Sequence, residues 1–227
     1  MVITVRVENL ERNFMATASS LSLHKKYNRY TMVPKERFTA ELNLVGRITV
    51  PGLIVECGVW RGGMSAAIAD TLPGRSHYLF DSFEGLPPAK PIDGPAAAAW
   101  QADTTGPYYF DNCRAEASFA EQAMQKSAAG EFHLVAGWFH DTLPSFACPQ
   151  PIAVLRLDAD WYDSMKTCLD ALMPHLARGG IVLIDDYATW DGCSRAVHDY
   201  LSETSSTLRI QRGPAGITYL LKPATPA

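Results

Sequence analysis

Short apolar runs alternate along this chain with segments of helical periodicity, and this alternation restricts the available folds more than any other feature. Runs bounded by glycine or aspartate indicate buried strands, and helices between them imply right-handed βαβ units. The sequence therefore predicts an α/β fold, a parallel sheet with helices on both faces, closed by an antiparallel pair over Leu208–Arg212 and Gly216–Leu221. The predicted parallel strands are Leu53–Cys57, His77–Phe80, Phe132–Ala136, Ala153–Leu157 and Ile181–Ile184.

Two helices are predicted between these strands. Met64–Leu72 follows the first strand and stops at a Pro-Gly pair. Before the fifth strand, four apolar residues recur on one helical face, and Gly179-Gly180 is expected to end that helix. Pro174 should bend its last turn, because a proline ring disrupts helical hydrogen bonds. The four residues are Met165, Leu169, Leu172 and Leu176.

The composition is that of one ordinary globular domain. The chain has 227 residues, 47% hydrophobic and 19% charged, so we expect one domain over residues 1–227. A net charge of −4 gives no support to a nucleic-acid binder. Five widely spaced cysteines argue against a disulfide framework or a zinc site. With no signal sequence or membrane span visible, a cytoplasmic protein is expected.

Two segments stand outside the strand and helix pattern. Residues 1–50 carry helical stretches ahead of the first strand and are expected to cover the acceptor site. Residues 86–112 are rich in proline, glycine and alanine and end in three aromatic residues. A connection of that length is typically functional, so we predict an active-site lid that orders on ligand binding.

Three aspartates follow the apolar runs where predicted parallel strands end. Asp158 follows the fourth run, and Asp185 and Asp186 follow the fifth. Adjacent parallel strands lie about 4.8 Å apart, so these carboxylates can share one ion. Carboxylate oxygens without histidine or cysteine suit Mg²⁺, Ca²⁺ or Mn²⁺ better than Zn²⁺. Asp160 and Asp163 are interpreted as supporting groups or helix N-caps rather than primary ligands.

A glycine-rich turn follows the first predicted strand. It runs from Glu56 to Gly63 and has Trp60 where a dinucleotide-binding turn would have its second glycine. This disfavours NAD or FAD and favours a smaller nucleoside-type cofactor, whose cationic amine Glu56 could bind. Asp81 ends the second strand about 20 residues later, a position suited to ribose hydroxyls.

Five ordered motifs together resemble the macrocin-type O-methyltransferases, a metal-dependent branch of the class I methyltransferases. The motifs are Glu56–Gly63, Phe80–Pro87, Gly137–Pro144, Leu155–Asp160 and Asp185–Tyr187. The resemblance implies a Rossmann-like, mostly parallel seven-stranded sheet with an antiparallel C-terminal strand. It also implies S-adenosylmethionine as cofactor and Mg²⁺ bound by Asp158, Asp185 and Asp186, with Asp158 as general base.

By the same resemblance, the Gly58 turn lines the methionine part of the cofactor, Asp81 holds the ribose, and Gly137 and Trp138 border the adenine. The full cofactor-binding set expected on this basis is Glu56, Gly58, Val59, Trp60, Gly62, Ser65, Asp81, Ser82, Gly137 and Trp138.

The function expected from these residues is Mg²⁺-dependent methylation of a hydroxyl on a small molecule such as a sugar or a glycosylated natural product. Mg²⁺ lowers the pKa of a bound hydroxyl, and a carboxylate can take its proton. Two alternatives stay open: a metal-independent methyltransferase acting on nitrogen, carbon or a carboxylate, and a non-catalytic nucleoside-binding protein. A homodimer is kept open as a partner, and neither nucleic acid nor membrane is expected.

Overall fold

A computed structural model of the chain describes residues 2–6 and 19–225. These residues form a sheet with the strand order β1-β4-β3-β2-β5-β6-β8-β7. The strands are β1 (Val2–Arg6), β2 (Leu53–Cys57), β3 (Ser76–Asp81), β4 (Glu131–Ala136), β5 (Ile152–Leu157), β6 (Leu176–Ile184), β7 (Gln211–Arg212) and β8 (Thr218–Leu221).

Strands β4, β3, β2, β5 and β6 are parallel neighbours, and β8 pairs antiparallel with β6. This confirms the predicted seven-stranded sheet with its antiparallel C-terminal strand. Strand β1 was not predicted; it adds an antiparallel edge strand beside β4. The closing pair is shorter than predicted, because a 3₁₀ turn at Pro214–Gly216 separates β7 from β8.

Helices cover both faces of the sheet. They are α1 (Ser20–Tyr27), α2 (Lys35–Val45), α3 (Gly63–Thr71), α4 (Pro95–Ala102), α5 (Phe110–Cys113), α6 (Ala117–Gln125), α7 (Phe139–Thr142), α8 (Tyr162–Leu172) and α9 (Asp191–Glu203). Alternating residues of the strands feed two separate cores, since successive side chains point to opposite faces. Ile54 packs with Tyr27 and Phe38, whereas Val55 packs with Leu169 and Val197.

The helix before β6 ends earlier than the sequence predicted. Helix α8 stops at Leu172, and Pro174 lies in a 3₁₀ turn because proline cannot continue the α-helical hydrogen bonds. Leu176 therefore begins β6 and does not lie on the helical face. Gly179-Gly180 does not end a helix; it lies inside β6, where Gly179 has φ +78° and the pairing with β5 shifts register.

Residues 86–113, which we call the cover, are folded onto the C-terminal half of the sheet. They contain a 3₁₀ turn at Pro91–Asp93, helix α4 and the short α5. Asp93 is buried and accepts a hydrogen bond from Tyr162 N at 2.7 Å, which ties the cover to the start of α8. Among the described residues no helix combines the length and apolar character needed to cross a membrane.

Candidate active site

The carboxyl ends of the parallel strands form one continuous surface, because each strand's next residue is hydrogen-bonded to the neighbouring strand. Asp158 N donates to Cys57 O at 2.8 Å, and Asp185 N donates to Leu157 O at 2.9 Å. The turn after β2 and the aspartates after β5 and β6 therefore lie side by side. We call these strand-end residues the floor: Gly58, Asp81, Asp158, Asp160, Asp185 and Asp186.

The turn after β2 requires glycine at its first position. Gly58 has φ +85°, and a Cβ built there would lie 1.8 Å from the main-chain oxygen of Asp158. Asp81 Oδ2 accepts hydrogen bonds from the amides of Val59 and Trp60 at 2.7 and 2.8 Å. Burial nevertheless raises the pKa of Asp81 above its usual range, against the lowering effect of these amides. Asp81 thus fixes the shape of the turn.

Three aspartates crowd together beside this turn. One carboxylate oxygen from each of Asp158, Asp160 and Asp186 lies within 4.8 Å of the other two. Burial, followed by the charge of Asp158, raises the pKa of Asp160 to about 8. Burial, followed by the charge of Asp160, raises the pKa of Asp186 well above its usual range. A set of crowded carboxylates without histidine or cysteine fits a hard divalent cation.

Asp160 is held in this group by a strained backbone and a tryptophan. Its φ is +49°, a conformation that non-glycine residues rarely adopt, and its Oδ1 accepts from Trp190 Nε1 at 3.0 Å. Asp160, predicted to be a supporting group or a helix N-cap, lies in the carboxylate group itself. The sequence gives no signal for this position, since the contact to Trp190 spans 30 residues.

Asp185 has different neighbours from Asp160 and Asp186. Its Oδ1 accepts from Arg156 Nη2 at 2.5 Å and lies 3.4 Å from Arg37 Nη2. Its main-chain oxygen also accepts a hydrogen bond from Arg37. Asp185 adjoins the crowded group but faces two arginines, so the predicted ligand set of Asp158, Asp185 and Asp186 stays a prediction.

Five of the ten predicted cofactor residues line a crevice of about 220 Å³ above the floor. They share its wall with the floor aspartates and with the segment ahead of α2, including Met32 and Val33. The five are Gly58, Trp60, Asp81, Ser82 and Trp138.

The other five predicted cofactor residues lie behind the crevice wall and support it. Buried Glu56 accepts hydrogen bonds from Arg156 and Ser65, and burial raises its pKa to about 7 against the lowering effect of Arg156. Gly62 has φ +78° and packs so closely on α6 that a Cβ would meet Ala120 at 2.8 Å. Val59 supplies an amide to Asp81, and Gly137 N donates to Asp81 O at 2.9 Å.

Aromatic side chains form part of the crevice wall beside the floor carboxylates. Trp100 of α4 lies 6.0 Å from Trp190 and 6.2 Å from Trp161 between ring centroids. Trp161 Nε1 donates to Pro87 O at 2.8 Å, which holds the start of the cover on α8. Trp100 and Trp190 line the crevice beside the carboxylates, where their faces can pack on a ligand.

The cover also contains a single left-handed helical turn. Phe110, Asp111, Asn112 and Cys113 have φ of 43°, 55°, 56° and 60°. Each such residue costs roughly 1–2 kcal/mol in the left-handed region. Asn112 offsets part of this cost, because its Nδ2 donates to Leu86 O at 2.7 Å and its Oδ1 accepts from Gln101 at 3.1 Å.

The chain matches the sequence profile of the Macrocin-O-methyltransferase (TylF) family over residues 6–212. It belongs to this family. The family resemblance drawn from the five motifs is thereby confirmed, and the chain is an S-adenosylmethionine-dependent O-methyltransferase.

Two characterised relatives and one solved structure are similar to this enzyme. An 8-demethyl-8-(2,3-dimethoxy-alpha-L-rhamnosyl)-tetracenomycin-C 4'-O-methyltransferase of Streptomyces olivaceus is 36% identical over 191 residues, 78% of this chain and 71% of that protein. A Mycinamicin III 3''-O-methyltransferase of Micromonospora griseorubida is 33% identical over 160 residues, 66% of this chain and 61% of that protein. The O-methyltransferase NovP superposes with a TM-score of 0.66 at 25% identity, covering 86% of this chain and 82% of NovP.

Proposed function

We propose that this enzyme transfers a methyl group from S-adenosylmethionine to a hydroxyl of a sugar on a natural product, with Mg²⁺ held among the floor carboxylates. The crowding of Asp158, Asp160 and Asp186 beside the Gly58 turn carries this proposal. The names of the two relatives support the acceptor class, since one specifies a rhamnosyl tetracenomycin and the other mycinamicin III. Trp100 and Trp190 offer apolar faces on which a sugar ring can pack.

The cofactor would lie along the crevice residues Gly58, Asp81, Ser82 and Trp138. Asp81 accepts three backbone N–H groups, from Val59, Trp60 and Phe83. A carboxylate has about four lone-pair positions, so Asp81 retains capacity for a ribose hydroxyl. The predicted contact between Glu56 and the cofactor amine stays a prediction, because Glu56 lies behind the wall with its oxygens bound to Arg156 and Ser65.

Asp158 and Asp186 would hold the ion, with a third carboxylate supplied by Asp160 or Asp185. When bound, Mg²⁺ would lower the pKa of the acceptor hydroxyl. A floor carboxylate would accept the hydroxyl proton. Asp158, the predicted base, has Oδ2 bound to Arg156 Nη1 at 2.8 Å. Asp160 competes for this role, because Trp190 binds only its Oδ1 and Oδ2 can take the proton.

Calorimetric titration with S-adenosylmethionine, with and without Mg²⁺, tests cofactor binding directly. Mass spectrometry of a rhamnosylated aglycone after incubation tests the transfer. We expect Asp158→Asn to bind the cofactor but to lose turnover, while Asp170→Asn on the outer end of α8 keeps both. Full turnover in excess EDTA would contradict the role of the ion and favour a metal-independent methyltransferase. Absence of cofactor binding in both titrations would overturn the whole proposal.

A further inference from the structure

A buried arginine contacts carboxylates from several parts of the site. Arg156 is the penultimate residue of β5, lies between two leucines in sequence, and is 1% exposed. Its guanidinium contacts four carboxylates that come from four different parts of the fold. These are Glu41 of α2 at 2.9 Å, Glu56 of β2 at 2.9 Å, Asp158 after β5 at 2.8 Å and Asp185 after β6 at 2.5 Å.

The division of these contacts among the donor atoms is specific. Arg156 Nη1 binds both Glu56 Oε1 and Asp158 Oδ2, so it links strand β2 to the crowded aspartates of the floor. Nη2 binds Asp185 Oδ1. A planar fork with fixed donor directions can satisfy such partners at once, whereas a lysine ammonium is a single point charge. Each of the two floor aspartates keeps its other oxygen free of Arg156.

A second arginine also contacts Asp185. Arg37 of α2 donates to the main-chain oxygen of Asp185, and its Nε lies 3.5 Å from Glu41 Oε1. Helix α2 therefore contacts the end of β6 through Arg37 and the Arg156 side chain of β5 through Glu41. Buried ion pairs add little stability compared with apolar packing, so this network calls for another explanation than stability.

We propose that Arg156 is a positioning residue that presets Asp158 and Asp185 for a divalent cation, with Arg37 as its partner on α2. The inference rests on the proposed function, because it assumes that the floor carboxylates bind such an ion. Arg156 holds one oxygen of each aspartate and thereby orients the other. It also supplies a positive charge that limits repulsion among the carboxylates before the ion arrives.

Charge-conserving substitutions test this inference. Removing a positive charge would by itself favour cation binding, so Arg156→Lys and Arg37→Lys are the informative variants. Mn²⁺ is the probe, and free Mn²⁺ is counted by electron paramagnetic resonance in the absence of acceptor. We expect Arg156→Lys to raise the Kd for Mn²⁺ by roughly tenfold or more, as for other groups that orient metal ligands. Arg37→Lys, at a partly exposed side chain, should act in the same direction by roughly threefold.

Arg195→Lys is the matched control, because its ion pair with Asp199 lies on the exposed side of α9. Its Kd should equal that of the unsubstituted protein. Circular dichroism establishes which variants are folded. If Arg156→Lys does not fold, the Kd of Arg37→Lys for Mn²⁺ decides whether the inference holds. A folded variant that has a lower melting temperature but an unchanged Kd overturns the positioning role and leaves the proposed function intact. An unsubstituted protein that binds no Mn²⁺ overturns both this inference and the metal part of the proposed function.

Discussion

The floor and the cover of the crevice are fixed by different interactions. The floor is set by main-chain hydrogen bonds between parallel strands, which place Gly58, Asp158 and Asp185 next to one another. The cover depends on side chains, with Trp100 against Trp161 and Trp190, and with Asn112 holding a left-handed turn. Reactive residues at strand ends are held rigidly by the sheet, whereas the residues of a cover held by side-chain contacts can vary with the acceptor.

The largest expected effect comes from breaking the floor at Gly58. In Gly58→Ala the added Cβ would overlap the main-chain oxygen of Asp158, which the sheet prevents from moving. We expect a loss of about 4 kcal/mol or more in unfolding free energy and no measurable cofactor binding. Gly74→Ala is the control, because Gly74 also has φ +79° but has no atom within 4 Å of the added Cβ. Urea unfolding should show a loss of only about 1–2 kcal/mol there.

If Gly58→Ala and Gly74→Ala unfold at the same urea concentration, the floor is not rigid. The positive φ that the two glycines share would then account for the whole loss of stability.

The second prediction changes the chemistry of the floor and preserves its backbone. Asp186→Asn removes one of the crowded charges, so turnover should fall by about a thousandfold while cofactor affinity changes little. The metal-free protein should become more stable, since burial and the neighbouring Asp160 disfavour an ionised carboxyl at position 186. Steady-state kinetics and thermal melting without metal measure the two effects. Reduced stability together with reduced turnover would indicate a structural role for Asp186 instead.

The contrast between floor and cover also explains what could be predicted from the sequence. Apolar runs ending in aspartate located the floor, because strand direction alone decides where such ends meet. Arg156 could have been predicted to form ion pairs, because a charged residue inside a buried strand must find partners. Asp160 could not be assigned, since its place depends on a strained backbone and on Trp190. The left-handed turn of the cover contains no glycine and so left no local signature.

The third prediction concerns the acid sensitivity of the sheet. The cover does not contribute a histidine to it, because residues 86–113 contain none. His77 is the second residue of β3, is buried, and has no partner for Nε2 within the described residues. Burial lowers its pKa from 6.5 to about 3. The unfolded chain therefore takes up a proton that the folded protein does not, and stability is lost as the pH falls from about 6.5 towards 3.

Between pH 7 and pH 4.5 this histidine should account for a loss of roughly 2–3 kcal/mol in unfolding free energy. His77→Leu should remove most of that loss, whereas His140→Gln at an exposed position should keep it. Urea unfolding at the two pH values measures both. An equal loss in His77→Leu and in the unsubstituted protein would place the acid sensitivity elsewhere.

The smallest expected effect concerns the cover. Asn112→Ala removes the hydrogen bonds to Leu86 and Gln101 and leaves alanine at a positive φ, so the turn should open locally at a cost of about 1–2 kcal/mol. Limited proteolysis between residues 100 and 113 should quicken roughly tenfold, because the open population rises by that factor. Cofactor affinity should stay unchanged, since the floor does not depend on Asn112.

Asn112→Gly is the matched variant for this test. It loses the same hydrogen bonds but accepts a positive φ without strain, so its cleavage rate should lie between those of the alanine variant and the unsubstituted protein. Equal cleavage of the two variants would mean that the side-chain hydrogen bonds alone hold the turn. A weaker cofactor affinity in both variants would show that the floor and the cover are not independent.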